Sequence, residues 1–112
     1  MNYIFNDGGR VKAGFSGLVR DCAARCIAIT LDLDYLDVLD DFQGKNVDRY
    51  LDYILSLHGY SYREAPTGTL CTNIKGSSIV KQHMHYTTII DDEIQDIFDT
   101  SEKTVYGYWS KN

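Results

Sequence analysis

The segment HYTTIIDDEIQDIF, residues 85–98, sets two runs rich in β-branched residues on either side of a two-residue acidic break. Such runs read as strands, and a two-residue break between them reads as a hairpin. A turn at Asp91–Asp92 places Ile90 opposite Glu93, Ile89 opposite Ile94, Thr87 opposite Asp96 and His85 opposite Phe98. Side chains alternate across a strand, so His85, Thr87, Ile89, Ile94, Asp96 and Phe98 share one face. His85 and Asp96 then lie diagonally, at a separation of roughly 7–8 Å that two side chains can bridge. A carboxylate there accepts a hydrogen bond from one ring nitrogen, fixes the tautomer and leaves the other nitrogen free. Asp-Asp is a poorer hairpin turn than Asp-Gly.

Upstream of the hairpin the period is helical. DCAARCIAIT starts with Asp21 as an N-cap, and Cys22, Cys26 and Ile29 fall at i, i+4 and i+7, with Ala23 and Ile27 widening a largely buried stripe. A second helix is expected near 34–42, capped by Asp34, and a third near 47–57, capped by Asn46 and followed by Gly59. Residues 1–20 read as irregular chain with turns, YSYRE (60–64) as a strand, 66–78 as loop, and TVYGYW (104–109) as a last strand. Helices first and strands later predict an α+β domain with the helices packed on a small antiparallel sheet.

The 112 residues make one domain, 1–112. Nine tyrosines fit half-buried strands. The net charge of −5, with no basic stripe, argues against nucleic acid, whose affinity depends on Lys and Arg neutralising phosphate. MNYIFNDGGR reads as neither a signal nor a transit peptide, and no apolar run approaches a membrane span. Three cysteines do not make a disulfide framework. The expectation is a cytoplasmic protein with reduced thiols, with no membrane contact and no cofactor.

Three readings compete for Cys22. As a nucleophile it gains from the helix N-terminus, whose partial positive charge and unpaired N–H groups favour the thiolate, and from His85 if the two meet. Its own backbone N–H could then help hold an oxyanion. As a metal ligand it would join Cys26, His83 and His85 in a Cys₂His₂ set, although the spacing matches no common structural zinc pattern. As a small apolar residue it would fill the core, as Cys26 is expected to do. Arg25 reads as one half of a salt bridge, His58 as a dipole partner at a helix end, Cys71 as a loop thiol with no base, and Trp109 as groove wall or packing for the first helix.

NDGGR, AGFSG, DCAARCIAIT and YLDVLDDF together resemble the N-terminal half of a small family of uncharacterised phage and bacterial proteins. HYTTIIDDEIQDIFDT is similar to that family's histidine hairpin and VYGYW to its C-terminal strand. The resemblance spans most of the chain outside roughly residues 63–80. It implies a papain-like cysteine-peptidase fold close to the bacteriocin-processing branch. Position by position, it implies Cys22 as nucleophile, His85 as general base and acid, and Asp96 as the residue orienting His85. Ser16 stands where papain-like enzymes place an oxyanion-hole glutamine, and Asn6 in NDGG is a second candidate donor. The function implied is a thiol hydrolase that cleaves a peptide or isopeptide bond, its partner a protein or peptide substrate. Deamidation and acyl transfer would use the same machinery. The alternative is a catalytically weak or inactive phage protein of this fold that binds and inhibits a host protein.

Overall fold

The computed structural model describes residues 1–14 and 21–111. A short strand β1 (Tyr3–Phe5) leads to three helices, α1 (Cys22–Leu31), α2 (Tyr35–Asp41) and α3 (Val47–Ser56). Five strands follow: β2 (Tyr60–Glu64), β3 (Ser78–Gln82), β4 (His85–Ile90), β5 (Glu93–Asp96) and β6 (Val105–Lys111), with one 3₁₀ turn at Cys71–Asn73. They form one sheet in the order β1-β5-β4-β3-β6-β2. The architecture is α+β, as the helix-then-strand order predicts. Among the described residues no helix is long and apolar enough to cross a membrane.

The sheet is mixed, which corrects the antiparallel expectation: β1 runs parallel to β5, pairing Tyr3 with Ile94 and Phe5 with Asp96. Two strands carry no alternation to read. β1 has only three residues. β3 is buried on both faces, and SIVKQ, with polar Ser78, Lys81 and Gln82 around Ile79 and Val80, shows no apolar–polar alternation.

The hairpin has the expected register, with Ile89 against Ile94 and Ile90 against Glu93. Asp91 and Asp92 both adopt left-handed conformations, φ 48° and 65°, as a type I′ turn requires. Neighbouring chain supports these strained aspartates. Asp92 accepts from the Gly76 N–H at 2.6 Å, and the Asp91 N–H donates to Ser77 Oγ at 3.0 Å.

Two apolar clusters lie on opposite sides of β3, because adjacent residues Ile79 and Val80 point opposite ways. Ile79 joins Trp109 and the inner faces of α1, α2 and α3, including Ile27, Val38, Leu51 and Leu55. Val80 joins Cys71, Ile74, Ile89, Ile94 and Val105. Val105 and Trp109 have the same parity yet serve different clusters. A bulge reconciles them: Lys81 pairs with Gly107 but Gln82 with Val105, so Tyr106 is skipped. Trp109 packs with the first helix, and its Nε1–H donates to Asp52 at 3.1 Å. His58 Nδ1 bonds the Ile54 carbonyl at 2.9 Å, which ties it to the end of α3.

Gly107 follows that bulge, and the Tyr62 side chain lies across it. A Cβ at this position would collide with the Tyr62 ring and hydroxyl and come within 2.8 Å of the Arg63 carbonyl oxygen. Gly107→Ala should therefore destabilise the fold by about 1–3 kcal/mol, the usual cost of overpacking, as measured by urea denaturation. Adding Tyr62→Ala should recover only part of that loss, because the Arg63 backbone remains in the way.

Candidate active site

α1 begins at Cys22, β4 at His85, and β5 ends at Asp96, so the three residues sit at element boundaries that the fold brings together. His85 Nε2 lies 2.7 Å from Asp96 Oδ2. The other side of the ring hydrogen-bonds the Cys22 thiol, which also accepts from the backbone N–H of Tyr86. With Nε2 engaged by Asp96, Nδ1 is the ring nitrogen left for sulfur. Phe98 packs on the imidazole with ring centroids 5.1 Å apart.

Each member of this line is shifted towards its charged form. Burial works against the Cys22 thiolate, but the His85 hydrogen bond, the Tyr86 N–H and the charges of His85 and Arg25 outweigh it and lower the thiol's pKa. Burial also disfavours the imidazolium, yet hydrogen bonds to Asp96 and Cys22 raise His85 to about 9. Asp96 is held below the usual carboxylate range despite burial, by His85, by Thr87 and by the Ile97 N–H. Thr87 Oγ1 donates to Asp96 Oδ2 at 2.6 Å and in turn accepts from Thr100 Oγ1 at 3.1 Å. The hairpin register already set Thr87 opposite Asp96, and that pairing was the signal for its part in the site.

Asp21 occupies the N-cap position of α1, but its side chain makes no capping hydrogen bond. It bonds Arg25 and the Tyr35 hydroxyl instead, with Arg10 at 3.4 Å. Asp34 and Asn46 cap α2 and α3 in the expected way, at 3.2 and 3.1 Å. The first-turn N–H groups of α1 are thus not taken up by Asp21. Arg25 extends its other guanidinium nitrogen to Asp96 Oδ1 at 3.5 Å.

The remaining expectations resolve as follows. Asn6 Nδ2 donates to Gln95 at 2.9 Å and its Oδ1 accepts from the Gly8 N–H, so its amide is engaged by β5 and its own loop rather than by the thiol. Ser16 lies outside the described residues. Cys26 is buried beside Thr88, and desolvation pushes its thiol well up. Cys71 lies in the connection between β2 and β3, at the 3₁₀ turn, and is fully buried, with burial raising it to about 11. His83 points away to the Tyr106 hydroxyl at 2.8 Å. Among the described residues no three His, Cys, Asp or Glu side chains gather as a metal site.

A cavity of about 310 Å³ opens at Cys22. Ala23 and Ala24 form one wall, while Leu39, Phe42, Val47 and Tyr86 form the others. Gln43 contributes the one side-chain amide of the lining. A larger, more open cavity of about 480 Å³ lies between α3 and the sheet, beside Asp48, Lys81 and Trp109, and has no cysteine among its described lining residues. Tyr86 on the Cys22 cavity donates its hydroxyl to Asp48 on the larger one. The chain matches no family model, no curated protein and no solved structure.

Iodoacetamide should modify Cys22 far faster than Cys26 or Cys71, because only Cys22 is both partly exposed and shifted towards thiolate. Site-resolved mass spectrometry of the time course reads this directly, and His85→Ala should slow Cys22 alone.

Proposed function

We propose that this chain is a papain-like thiol hydrolase that cleaves a peptide or isopeptide bond, with Cys22 as nucleophile, His85 as acid–base and Asp96 as orienter. The hydrogen-bonded line from the Cys22 thiol through His85 to Asp96 Oδ2 carries this reading. A thiol at a helix start facing an imidazole on a strand is an arrangement that makes a thiolate at neutral pH. The raised His85 and lowered Cys22 agree with a thiolate–imidazolium pair.

In this reading Cys22 sulfur attacks the carbonyl carbon, and the carbonyl π electrons move to oxygen. The N–H groups at the start of α1, left unbonded by Asp21, steady that oxyanion, and Gln43 stands on the same cavity wall. His85 gives its proton to the leaving amine as the C–N bond breaks. It then takes a proton from water, whose oxygen attacks the thioester and releases the acid and Cys22. The cavity at Cys22 fits an uncharged, apolar side chain next to the scissile carbonyl. Its walls are aliphatic and aromatic, and its one carboxylate, Asp21, is fully buried and already spent on Arg25, Arg10 and Tyr35. A protein or peptide in the cytoplasm is the substrate that this chemistry suits.

A mixed peptide library incubated with the protein and read by mass spectrometry tests the assignment. Cleavage should follow an apolar residue and disappear with Cys22→Ala. His85→Ala should lower kcat by about 10²–10⁴-fold, the contribution of a positioned acid–base. The pH profile should rise below the ordinary thiol range and fall as pH passes about 9, where His85 loses the proton that it must donate. Biological activity that survives Cys22→Ala would instead favour a host-protein binder built on the same fold.

A further inference from the structure

We propose that Arg25 is a positioning residue for this thiol site: anchored on Asp21, its guanidinium holds Asp96 by Oδ1 so that Oδ2 stays aimed at His85. The inference rests on the hydrolase reading above and concerns the buried arginine beside the site.

Arg25 is 4% exposed, Asp21 2% and Asp96 3%, so all three charges are out of water. An i, i+4 salt bridge to Asp21 would by itself satisfy an arginine inside a helix. The fork does more. One nitrogen bonds Asp21 at the N-cap of α1, and the other reaches a carboxylate on the sheet, at the end of β5. Asp96 divides its oxygens accordingly: Oδ1 faces Arg25 and the Ile97 N–H, while Oδ2 faces His85 and Thr87. A carboxylate fixed at both oxygens cannot rotate away from the ring.

The anchor is itself braced. Asp21 is tied to Arg10 and Tyr35 as well as to Arg25. The NDGG loop lies on the same helix turn, where a Cβ on Gly8 would come within 3.2 Å of the Arg25 carbonyl oxygen. Gly8 holds φ +69°, which favours glycine there. The same loop bonds the far end of the pair, since the Asn6 N–H donates to the Asp96 carbonyl at 2.9 Å. Lysine, with one compact ammonium, does not reproduce a fork held on two carboxylates.

The titratable groups that face Asp96 are Arg25 and Cys26 from α1, His85 from β4, Tyr3 from β1 and Cys71 from the 3₁₀ turn. The three neutral groups, Cys26, Tyr3 and Cys71, all have raised pKa values and stay uncharged across the working range. Arg25 and His85 are therefore the charges that Asp96 answers to.

The test follows Cys22 alkylation by iodoacetamide against pH in the wild type, Arg25→Gln, Asp96→Asn and the double variant, with near-UV circular dichroism as the folding control. Arg25→Gln should raise the midpoint of the acid limb by about one pH unit, the scale of a lost charge partner. It should also weaken the downfield proton NMR signal of the His85 Nε2–H. In the Asp96→Asn background the same substitution should add little. An unchanged midpoint overturns the proposal, and so does an equal shift in both backgrounds, which would mean that Arg25 acts on the thiol by charge alone. Should Arg25→Gln fail to fold, Arg25→Lys keeps the charge and loses the fork. Its midpoint should still rise, and wild-type behaviour in both readouts would sink the idea. Failure of the hydrolase reading is recognised separately, by a Cys22 profile in the wild type that His85→Ala leaves untouched.

Discussion

Arg25 is charged at any pH the protein meets, and α1 carries it into an interior where an isolated ion costs several kcal/mol. That cost is tolerable only with carboxylates in place, and Asp21 and Asp96 supply them from two different elements. The requirement fixes α1 against the end of β5 more specifically than apolar packing can, because apolar contacts tolerate sliding and a fork does not. It also brings Cys22 and His85 together. Cys22 lies one helical turn before Arg25, and His85 is bonded to the same Asp96 that Arg25 holds. Arg10 and Arg25 balance Asp21 and Asp96 before the thiol proton moves. Afterwards a thiolate and an imidazolium add one charge of each sign. Proton transfer within the pair thus leaves the net charge of the buried cluster unchanged.

Tyr86 links this cluster to the helical side of the core. Its backbone N–H faces the Cys22 thiol, its ring walls the cavity there, and its hydroxyl is held by Asp48 of α3. Asp48 also takes the Lys81 ammonium at 2.5 Å. The cavity wall is thereby fixed by polar contacts at the far end of the tyrosine, while Ala23 and Ala24 keep the opposite wall low. The space at Cys22 is shaped by small residues at the start of α1 and by one pinned aromatic ring.

Much of the fold was legible in the sequence where the physics is local. The three helices carry apolar stripes at 3.6-residue spacing, and two of them carry working side-chain caps. The hairpin register followed from alternation alone, and with it the proximity of His85 to Asp96. What escaped was non-local or lacked a period. β3 is buried on both faces with polar and apolar residues out of alternation, and β1 is three residues held by its parallel neighbour. The bulge at Tyr106 is visible only once β6 has a partner. Arg25 was legible as a salt-bridge residue, but its second partner lies 71 positions away and no spacing announces it. Asn6 read as a candidate oxyanion donor from its place in NDGG. Its place beside Gln95 depends on the parallel pairing that the sequence hides.

The start of α1 shows stability and chemistry drawing on the same groups. A capping aspartate normally accepts from a first-turn N–H and contributes about 1 kcal/mol. Asp21 stands in that position with φ −128° and ψ 16°, and its carboxylate turns instead to Arg25. Had Asp21 capped the helix, a carboxylate would sit over the N–H groups that border Cys22, and its charge would oppose both a thiolate and an oxyanion there. Turning inward, the same carboxylate braces Arg25 and leaves those N–H groups to the cavity. The helix gives up an ordinary side-chain cap, and no carboxylate is set over its first-turn N–H groups by Asp21. α2 and α3 have no such duty, and both keep their caps. The one described helix whose first turn carries a cysteine is the one whose cap has been redirected, and the proposed thiol chemistry calls for that arrangement.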